Sequence, residues 1–267
     1  MEDTLKNKLG KSGQAGTVYL VGAGPGDVEL LTLKAARLIG SASIIVHDGL
    51  VSAEIMDLAS PNAKLISVAK RRARHSVPQD QINQLLIDEA RKGNDVVRLK
   101  GGDPFIFGRG GEEVDDCKAA GIRAVVVPGI SAAIGSAAAA RLPLTHRDAS
   151  SAVTFVAGQC KGLSDQNWSG LAGKDRTLVI YMGVATGADI AEKLIADGVS
   201  PDMPVAILEN GTRINMRSMR TLLTDLGGMM QREQVKSPAL IVVGDVVTHS
   251  DAEDKLTAMS KMAKTLV

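Results

Sequence analysis

Aromatic side chains are scarce in this sequence: phenylalanine, tyrosine and tryptophan make up 2% of its 267 residues. Proteins that bind single-stranded nucleic acid stack bases on aromatic rings, so the scarcity argues against that class. The formal net charge is +1, which leaves no overall positive field to attract nucleic acid or an anionic membrane. We therefore expect neither nucleic acid nor a membrane as a partner.

Cysteine and histidine are also few. Cys117 and Cys160 show no C-x-x-C spacing, and the four histidines include no H-E-x-x-H pattern. Because zinc sites usually carry such spacings, we predict no metal site. Two free thiols fit the reducing cytoplasm, which is the expected location.

Long apolar runs are missing as well. Apolar runs such as those at 124–128 and 240–244 have only the length of a strand and are far too short to span a bilayer. Residues 1–16 are polar and rich in glycine, serine and lysine, with no apolar core of the kind that secretory signals have. We predict that they form a flexible extension.

What the sequence does contain is an alternation of short β-rich runs and helical stretches. This pattern over 17–129 predicts an α/β domain with a mainly parallel sheet covered on both faces. An alanine-rich helix and more ribbon-like strands over 130–249 predict a second α/β domain with a mixed sheet. Residues 250–267 are predicted to form a tail helix.

Two glycine-rich loops follow predicted strands. The loop at 22–27 lies where a dinucleotide-binding fingerprint would lie, but it does not match G-x-G-x-x-G and is equally explained as a tight turn. Gly101 and Gly102 would allow the backbone to approach a ligand closely. Phe105 and Phe107 beside them are either part of that site or anchors of the loop in a core.

Charged residues follow three of the predicted strands, as Asp48, Lys70 and Lys100. Ligands of open α/β sheets usually bind at the carboxyl ends of the strands. A carboxylate and a lysine at neighbouring strand ends can act as a base and a cation, although ordinary exposed loop charges explain them as simply.

Taken together, these segments resemble the uroporphyrinogen-III C-methyltransferases, within the wider tetrapyrrole methylase family. The resemblance runs from residue 17 to about 247 and rests on long, specific motifs. These are VGAGPGD at 21–27, SVPQ at 76–79, VRLKGGDPFIFGRGGEE at 97–113, VPGIS at 127–131, PLTHRD at 143–148, YMG at 181–183 and ENGT at 209–212.

The resemblance implies transfer of methyl groups from S-adenosylmethionine (SAM) to C2 and C7 of uroporphyrinogen III, which gives precorrin-2. It also implies a homodimer, with SAM in a cleft between the two α/β domains of each chain. The positions that match SAM contacts of the family are Pro25, Gly101, Gly102, Asp103, Ile106, Ser131, Ala132, Met182 and Gly211.

The resemblance also implies roles in proton transfer and substrate binding. Asp48 matches the proposed base of the family and Lys70 its proposed proton donor. The substrate carries many carboxylates, which basic side chains bind well. Its predicted partners are Arg71, Lys100, Arg109, His146 and Arg147.

Four positions depart from the pattern of the family. Gly49 stands where an arginine usually follows the presumed base, and Ala69 stands where a glycine is usual. Ser131 replaces a threonine, and His47 replaces a tyrosine. The missing arginine predicts either a raised pKa of the Asp48 carboxyl or weaker substrate binding, unless Arg71 or Arg74 supplies the charge.

Two alternatives stay open. One is another SAM-dependent methylase of the superfamily: a later corrin-ring methylase, diphthine synthase or the ribosomal-RNA 2′-O-methylase. The uninterrupted 98–113 segment favours uroporphyrinogen as the substrate, and the low charge disfavours RNA. The other is a tetrapyrrole-binding or scaffold protein with weak catalysis, for which Gly49 would be the mark. Whether the product serves siroheme, cobalamin or haem d1 synthesis is also open.

Overall fold

The structure is a computed structural model, and it describes residues 15–69, 77–159, 167–251 and 253–254. The chain divides into two compact units, Met1–Ser131 and Ala132–Val267. The boundary predicted from the sequence, between 129 and 130, lies two residues earlier. The extension predicted for 1–16 falls mostly outside the described residues. Its last residue, Gly16, donates a backbone hydrogen bond to the carbonyl of Ala90 at 2.8 Å.

Unit 1 is built on a five-stranded sheet in which every pairing is parallel. The spatial order of the strands places the first strand of the chain next to the fourth and fifth, as β3-β2-β4-β1-β5. Because all five strands run in one direction, their carboxyl ends lie along one edge of the sheet. The strands are β1 (Val18–Gly22), β2 (Ile44–His47), β3 (Lys64–Ser67), β4 (Val96–Lys100) and β5 (Ala124–Val127).

Helices cover both faces of this sheet, as predicted. On one face Val18 and Val96 pack with Leu86 and Cys117, and on the other Val97 and Leu99 pack with Ile39 and Ile55. Because side chains along a strand point alternately to the two faces of the sheet, the side chains at 96, 98 and 100 of β4 lie on the first face. The helices are α1 (Leu33–Ser41), α2 (Ala53–Met56), α3 (Gln79–Arg91) and α4 (Gly110–Ala119).

The first helix and the last strand of unit 1 are explained locally. Helix α1 begins at Leu33, because the side chain of Thr32 accepts a hydrogen bond from the backbone N–H of Ala35 and caps it. The apolar run 124–127 is an edge strand in which only Val127 is fully buried.

Unit 2 contains a six-stranded mixed sheet, which confirms the predicted α/β class. Its order is β11-β9-β8-β10-β7-β6, with β6–β7 and β9–β11 parallel and the other pairs antiparallel. The strands are β6 (Ser150–Ala157), β7 (Asp175–Tyr181), β8 (Pro204–Glu209), β9 (Arg217–Leu222), β10 (Ala239–Val243) and β11 (Glu253–Asp254). The helices are α5 (Ala132–Ala139), α6 (Gly187–Ala196) and α7 (Leu226–Arg232).

The tail helix predicted from residue 250 is wrong at Glu253–Asp254. The backbone there is extended and pairs in parallel with β9, opposite Met219 and Arg220. Residues 255–267 lie outside the described part of the chain. None of the helices that the structure describes is both long enough and apolar enough to cross a membrane.

Candidate active site

The loops at the carboxyl edge of unit 1 pack against each other through glycine backbone. Gly24 and Gly102 exchange two hydrogen bonds, with N···O distances of 3.1 and 2.7 Å. A Cβ on Gly22 would lie 2.5 Å from the backbone nitrogen of Gly129, and a Cβ on Gly129 would collide with the carbonyl oxygen of Gly102. Gly22, at the end of β1, and Gly129, after β5, are therefore needed for loop packing, whatever else they contact.

Asp103 fastens two of these loops together. Its Oδ2 accepts a hydrogen bond from the N–H of Gly129 at 3.0 Å, and its Oδ1 accepts one from the N–H of Phe105 at 2.8 Å. The carboxylate of this predicted SAM contact is thus engaged within unit 1. Of the other predicted contacts in this unit, Pro25 and Ile106 are partly exposed and Ser131 is buried.

The loop after β4 exposes apolar surface. Phe105 is 56% exposed and Phe107 41%, so neither ring anchors the loop in a core. Phe107 and Arg109 also have left-handed backbone, with φ of 52° and 58°. Such conformations are costly for residues other than glycine and occur most often at functional sites.

A cluster of buried charges lies beneath this edge. Arg98 and Lys100 are each 3% exposed, and Glu113 of α4 is fully buried. Oε1 of Glu113 is 3.0 Å from Nε of Arg98 and 3.0 Å from Nζ of Lys100. It also accepts a hydrogen bond from the side-chain amide of Gln79 at 3.1 Å. The otherwise apolar face of β4 thus ends in two cations that share one carboxylate.

Asp48, the predicted base, lies at the end of β2 beside this cluster. Its side chain is 28% exposed, and its Oδ2 is 3.9 Å from Nη2 of Arg98. Its Oδ1 accepts a hydrogen bond from the N–H of Leu50 at 3.2 Å. The cation next to Asp48 in the described structure is Arg98, a residue that was not predicted to belong to the site. Arg71 and Arg74, predicted to supply this charge, lie outside the described residues.

The substrate-binding role predicted for Lys100 does not fit its position. Burial lowers the pKa of its ammonium, repulsion from Arg98 lowers it further, and Glu113 opposes both effects. A substrate carboxylate would have to displace Glu113 inside the unit in order to reach Nζ. We therefore replace the predicted role of Lys100 and assign it as a buried partner of Glu113.

Arg109 is exposed, as its predicted role requires, but it is already paired. Its guanidinium donates two hydrogen bonds to the carboxylate of Glu112, at 2.8 and 2.6 Å. This pairing raises the pKa of Arg109 and lowers that of Glu112. Lys70 and Arg71, the predicted proton donor and a predicted substrate contact, lie outside the described residues.

Three predicted SAM contacts lie in unit 2, at one edge of its sheet. Strands β7 and β8 both pair antiparallel with β10, so their carboxyl ends share that edge. The hydroxyl of Tyr181 accepts a hydrogen bond from the N–H of Ala133 at 3.0 Å, which ties the end of β7 to the start of α5, at Ala132. Met182 follows, 46% exposed and with a left-handed φ of 56°.

Gly211 follows β8 and packs against the same helix, at Ser136. A Cβ at this position would collide with Oγ of Ser136 in α5. Its neighbours Asn210 and Thr212 both have left-handed backbone, with φ of 51° and 64°. Within unit 2, the predicted positions Ala132, Met182 and Gly211 are thus tied to α5 or to the strand end bound to it.

His146 and Arg147 lie in the turn that precedes β6. The His146 ring stacks on that of His249, with centroids 4.0 Å apart, and its Nδ1 accepts a hydrogen bond from the N–H of Asp148. Arg147 is exposed. Both remain predicted substrate contacts.

In the described ranges, no three His, Cys, Asp or Glu side chains lie close enough together to hold a metal ion. Cys117 is buried, and burial together with the nearby Glu113 and Asp116 raises the pKa of its thiol to about 11. A thiol with this pKa is almost entirely protonated at neutral pH and a poor nucleophile. Cys160 lies outside the described residues.

Comparison with known proteins identifies the relatives of this chain. Siroheme synthase 2 of Cronobacter sakazakii and the siroheme synthase of Salmonella typhimurium are each 53% identical over 236 residues. Those matches cover 88% of this chain but 51% of either relative, so the chain spans about half the length of the curated relatives it matches.

The solved structures that it resembles are nearer to it in length. The uroporphyrin III C-methyl transferase of Thermus thermophilus is 38% identical with a TM-score of 0.75, and the match covers 87% of this chain and 93% of that one. The same enzyme has been solved with S-adenyl homocysteine. A cobalt precorrin-4 methyltransferase is 25% identical, with a TM-score of 0.76 and coverages of 86% and 95%.

A family model agrees with these relatives. The model of the tetrapyrrole (corrin/porphyrin) methylases matches residues 17–227, which is well over half of the chain and reaches into both units. This chain therefore belongs to the tetrapyrrole methylases.

Proposed function

We propose that this chain transfers methyl groups from SAM to C2 and C7 of uroporphyrinogen III, giving precorrin-2. The observation that carries the proposal is Asp48, a partly exposed carboxylate at the carboxyl edge of unit 1, 3.9 Å from a buried arginine. This edge also carries the glycine loops that match SAM-binding positions of the family. The resemblance to a uroporphyrin methyltransferase solved with S-adenyl homocysteine, the demethylated donor, supports the same substrates.

SAM supplies an activated methyl group, so the protein mainly has to align that group with the acceptor carbon. The described residues fit this donor. In unit 1, backbone at Gly101 and Gly102 suits the polar groups of its adenosine and amino-acid parts, and the partly exposed Ile106 suits the surroundings of its sulfonium. In unit 2, the exposed Met182 remains a predicted contact of the donor. The side chain of Asp103 holds the loop, so we assign only its backbone to the donor.

Asp48 acts as the base in this proposal. When an electron-rich pyrrole carbon forms its bond to the methyl group, the carbon–sulfur bond breaks and the ring must lose a proton. Asp48 accepts that proton; a well-placed general base contributes about 10²–10⁴ in rate. Lys70 is the proposed proton donor.

The carboxylates of uroporphyrinogen III require cations at the rim of the site. We propose Arg71, Arg109, His146 and Arg147 for this role and exclude Lys100, because it is buried against Glu113. For Arg109 the substrate competes with Glu112, which holds the guanidinium in place through two hydrogen bonds. This arrangement presents an oriented arginine at the surface.

The assembly and the pathway belong to the same proposal. We propose that the protein is cytoplasmic and forms a homodimer. Light scattering of the purified chain would test the dimer. The product is proposed to serve siroheme, cobalamin or haem d1 synthesis. Any activity that the curated relatives carry in the half of their length not matched here is not assigned to this chain. The SAM site between the two domains stays a prediction.

Incubation of the full chain with SAM and uroporphyrinogen III, without oxygen, tests the function. The expected result is a chromophore and two molecules of S-adenosylhomocysteine per substrate molecule. Asp48→Asn is the matched variant: it should bind SAM like the parent and lose most turnover. SAM binding without any pigment would favour the tetrapyrrole-binding alternative, and methylation of later corrin intermediates alone would favour another methylase.

A further inference from the structure

We infer that Glu113 is a positioning residue for Asp48 and acts through Arg98. The inference rests on the proposed function, because it concerns the geometry of the proposed base. Glu113 lies on α4, Arg98 on β4 and Asp48 at the end of β2, so the three residues come from different elements of unit 1. Two short steps connect them, of 3.0 Å from Glu113 to Arg98 and 3.9 Å from Arg98 to Asp48.

The Arg98 guanidinium is held by hydrogen bonds at Nε and Nη1. Nε donates to Oε1 of Glu113, while Nη1 lies 3.5 and 3.3 Å from the carbonyl oxygens of Val46 and Leu99. Nη2 is left facing Asp48. Because Val46 belongs to β2, the same guanidinium contacts the strand that carries Asp48 and the carboxylate at its end. Arginine suits this role because its donors form a rigid fork.

Charge balance explains why Glu113 is required. Arg98 and Lys100 bring two positive charges into a buried region, and Glu113 neutralises one of them. Among the described residues, Asp48 is a second anion within 4 Å of Arg98 and offsets the remaining charge. Without Glu113, both cations would compete for Asp48, and a buried charge that has lost its partner is strongly unfavourable.

The hydrogen bonds of Glu113 also indicate a residue kept for its position. Three donors, from Arg98, Lys100 and Gln79, converge on Oε1. This convergence fixes the Arg98 side chain relative to α4.

The fixed Arg98 attracts Oδ2 of Asp48 across 3.9 Å, while the N–H of Leu50 donates a hydrogen bond to Oδ1 at 3.2 Å. The ion pair and this hydrogen bond together favour one orientation of the base at the strand end. A displacement of about 1 Å in a catalytic group can cost about 10² in rate, even when the substitution is remote from the reacting atoms. Glu113 acts in this way without touching substrate or donor.

The test is a double-mutant cycle in the full chain with Glu113→Gln and Asp48→Asn. We expect Glu113→Gln to lower kcat about 10²-fold, with SAM affinity by calorimetry and KM for uroporphyrinogen III within about threefold of the parent. In the Asp48→Asn background the same change should cause no further loss, because the residue that it positions is already gone. Asp115→Asn, at an exposed site on the same helix, is the control and should leave kcat unchanged.

If Glu113→Gln does not fold, Arg98→Lys takes its place in the cycle, since it keeps the buried positive charge and loses the fork. A loss of equal size in both backgrounds, or unchanged kcat in the foldable variant, would overturn the inference. Full activity of Asp48→Asn alone would instead refute the proposed base, and with it this inference. The failures of the two proposals are therefore distinguishable.

Discussion

A Cβ on Gly49 would lie 3.1 Å from the Cβ of Ala69, closer than most carbon atoms of different residues approach each other. These are two of the positions at which the sequence departs from the pattern of its family, where arginine and glycine are usual. The structure thus links the two departures: with alanine at 69, only glycine at 49 fits without a shift. Packing against Ala69 therefore accounts for Gly49, and no loss of function has to be assumed to explain it.

Restoring the arginine alone should therefore cost stability. We expect Gly49→Arg to lower the free energy of unfolding by about 1 kcal/mol, the usual scale of overpacking. Adding Ala69→Gly should recover it, and thermal unfolding followed by circular dichroism measures both changes. A single variant as stable as the parent would show that Ala69 moves aside freely. The activity of the double variant then reports on the arginine itself.

Gly211 should behave in the same way in unit 2. Gly211→Ala places a methyl group against Oγ of Ser136, so we expect a loss of about 1–3 kcal/mol in stability. Ser136→Gly in the same chain should restore part of it. Chemical denaturation of the single and double variants measures the effect. An equal loss with and without the Ser136 change would assign the cost to the backbone of the loop.

Glu89 should make the stability of unit 1 fall in acid. Hydrogen bonds from Lys64 and Lys92 lower the pKa of this carboxyl below its ordinary value, which outweighs the opposing effect of burial. Ionised Glu89 contributes fully to the free energy of unfolding at pH values above the pKa of the unfolded state. This contribution is lost as the pH falls through the lowered pKa of the folded state. Glu89→Gln should lower the free energy of unfolding by about 1 kcal/mol at pH 7. In urea unfolding, the stability of the variant should also fall less steeply in acid than that of the parent. A parallel decline in parent and variant would contradict the assignment.

Cys117 should be chemically silent in the folded protein. Burial raises the pKa of its thiol to about 11, so little thiolate is present at pH 8. In a Cys160→Ser chain, iodoacetamide should leave Cys117 unmodified under native conditions and label it fully in denaturant, as mass spectrometry would show. Rapid native labelling would mean that α4 opens readily.

Hydrophobic patterns predicted most of the fold, because the continuous apolar run of β10 and the helical periodicity of α3 need no tertiary information. The helix α7 was missed, since Gly227 and Gly228 weaken its helical signal. Those glycines have a tertiary reason: a Cβ on Gly227 would lie 2.8 Å from that of Ala188 in α6. Local sequence does not record this close approach of two helices.

The site was predicted unevenly for a similar reason. Asp48 was selected by its place after a strand and by the family motif, but its arginine partner was not. The signal was present, since Arg98 and Lys100 lie two residues apart in an apolar strand and therefore share a face. Their common anion, Glu113, comes from a separate helix, and spacing along the chain does not predict that pairing.

The parallel run of the five strands in unit 1 also has a use in protein engineering. All of its proposed chemistry is assigned to loops at the carboxyl edge, whereas the connections at the opposite edge, at 42–43, 57–63, 92–95 and 120–123, join a helix to the next strand. A fluorescent dye, an affinity tag or an immobilisation site introduced at 60–63 would be separated from the reacting groups by the full length of the sheet. The architecture thus provides an attachment side for biosensors and immobilised catalysts.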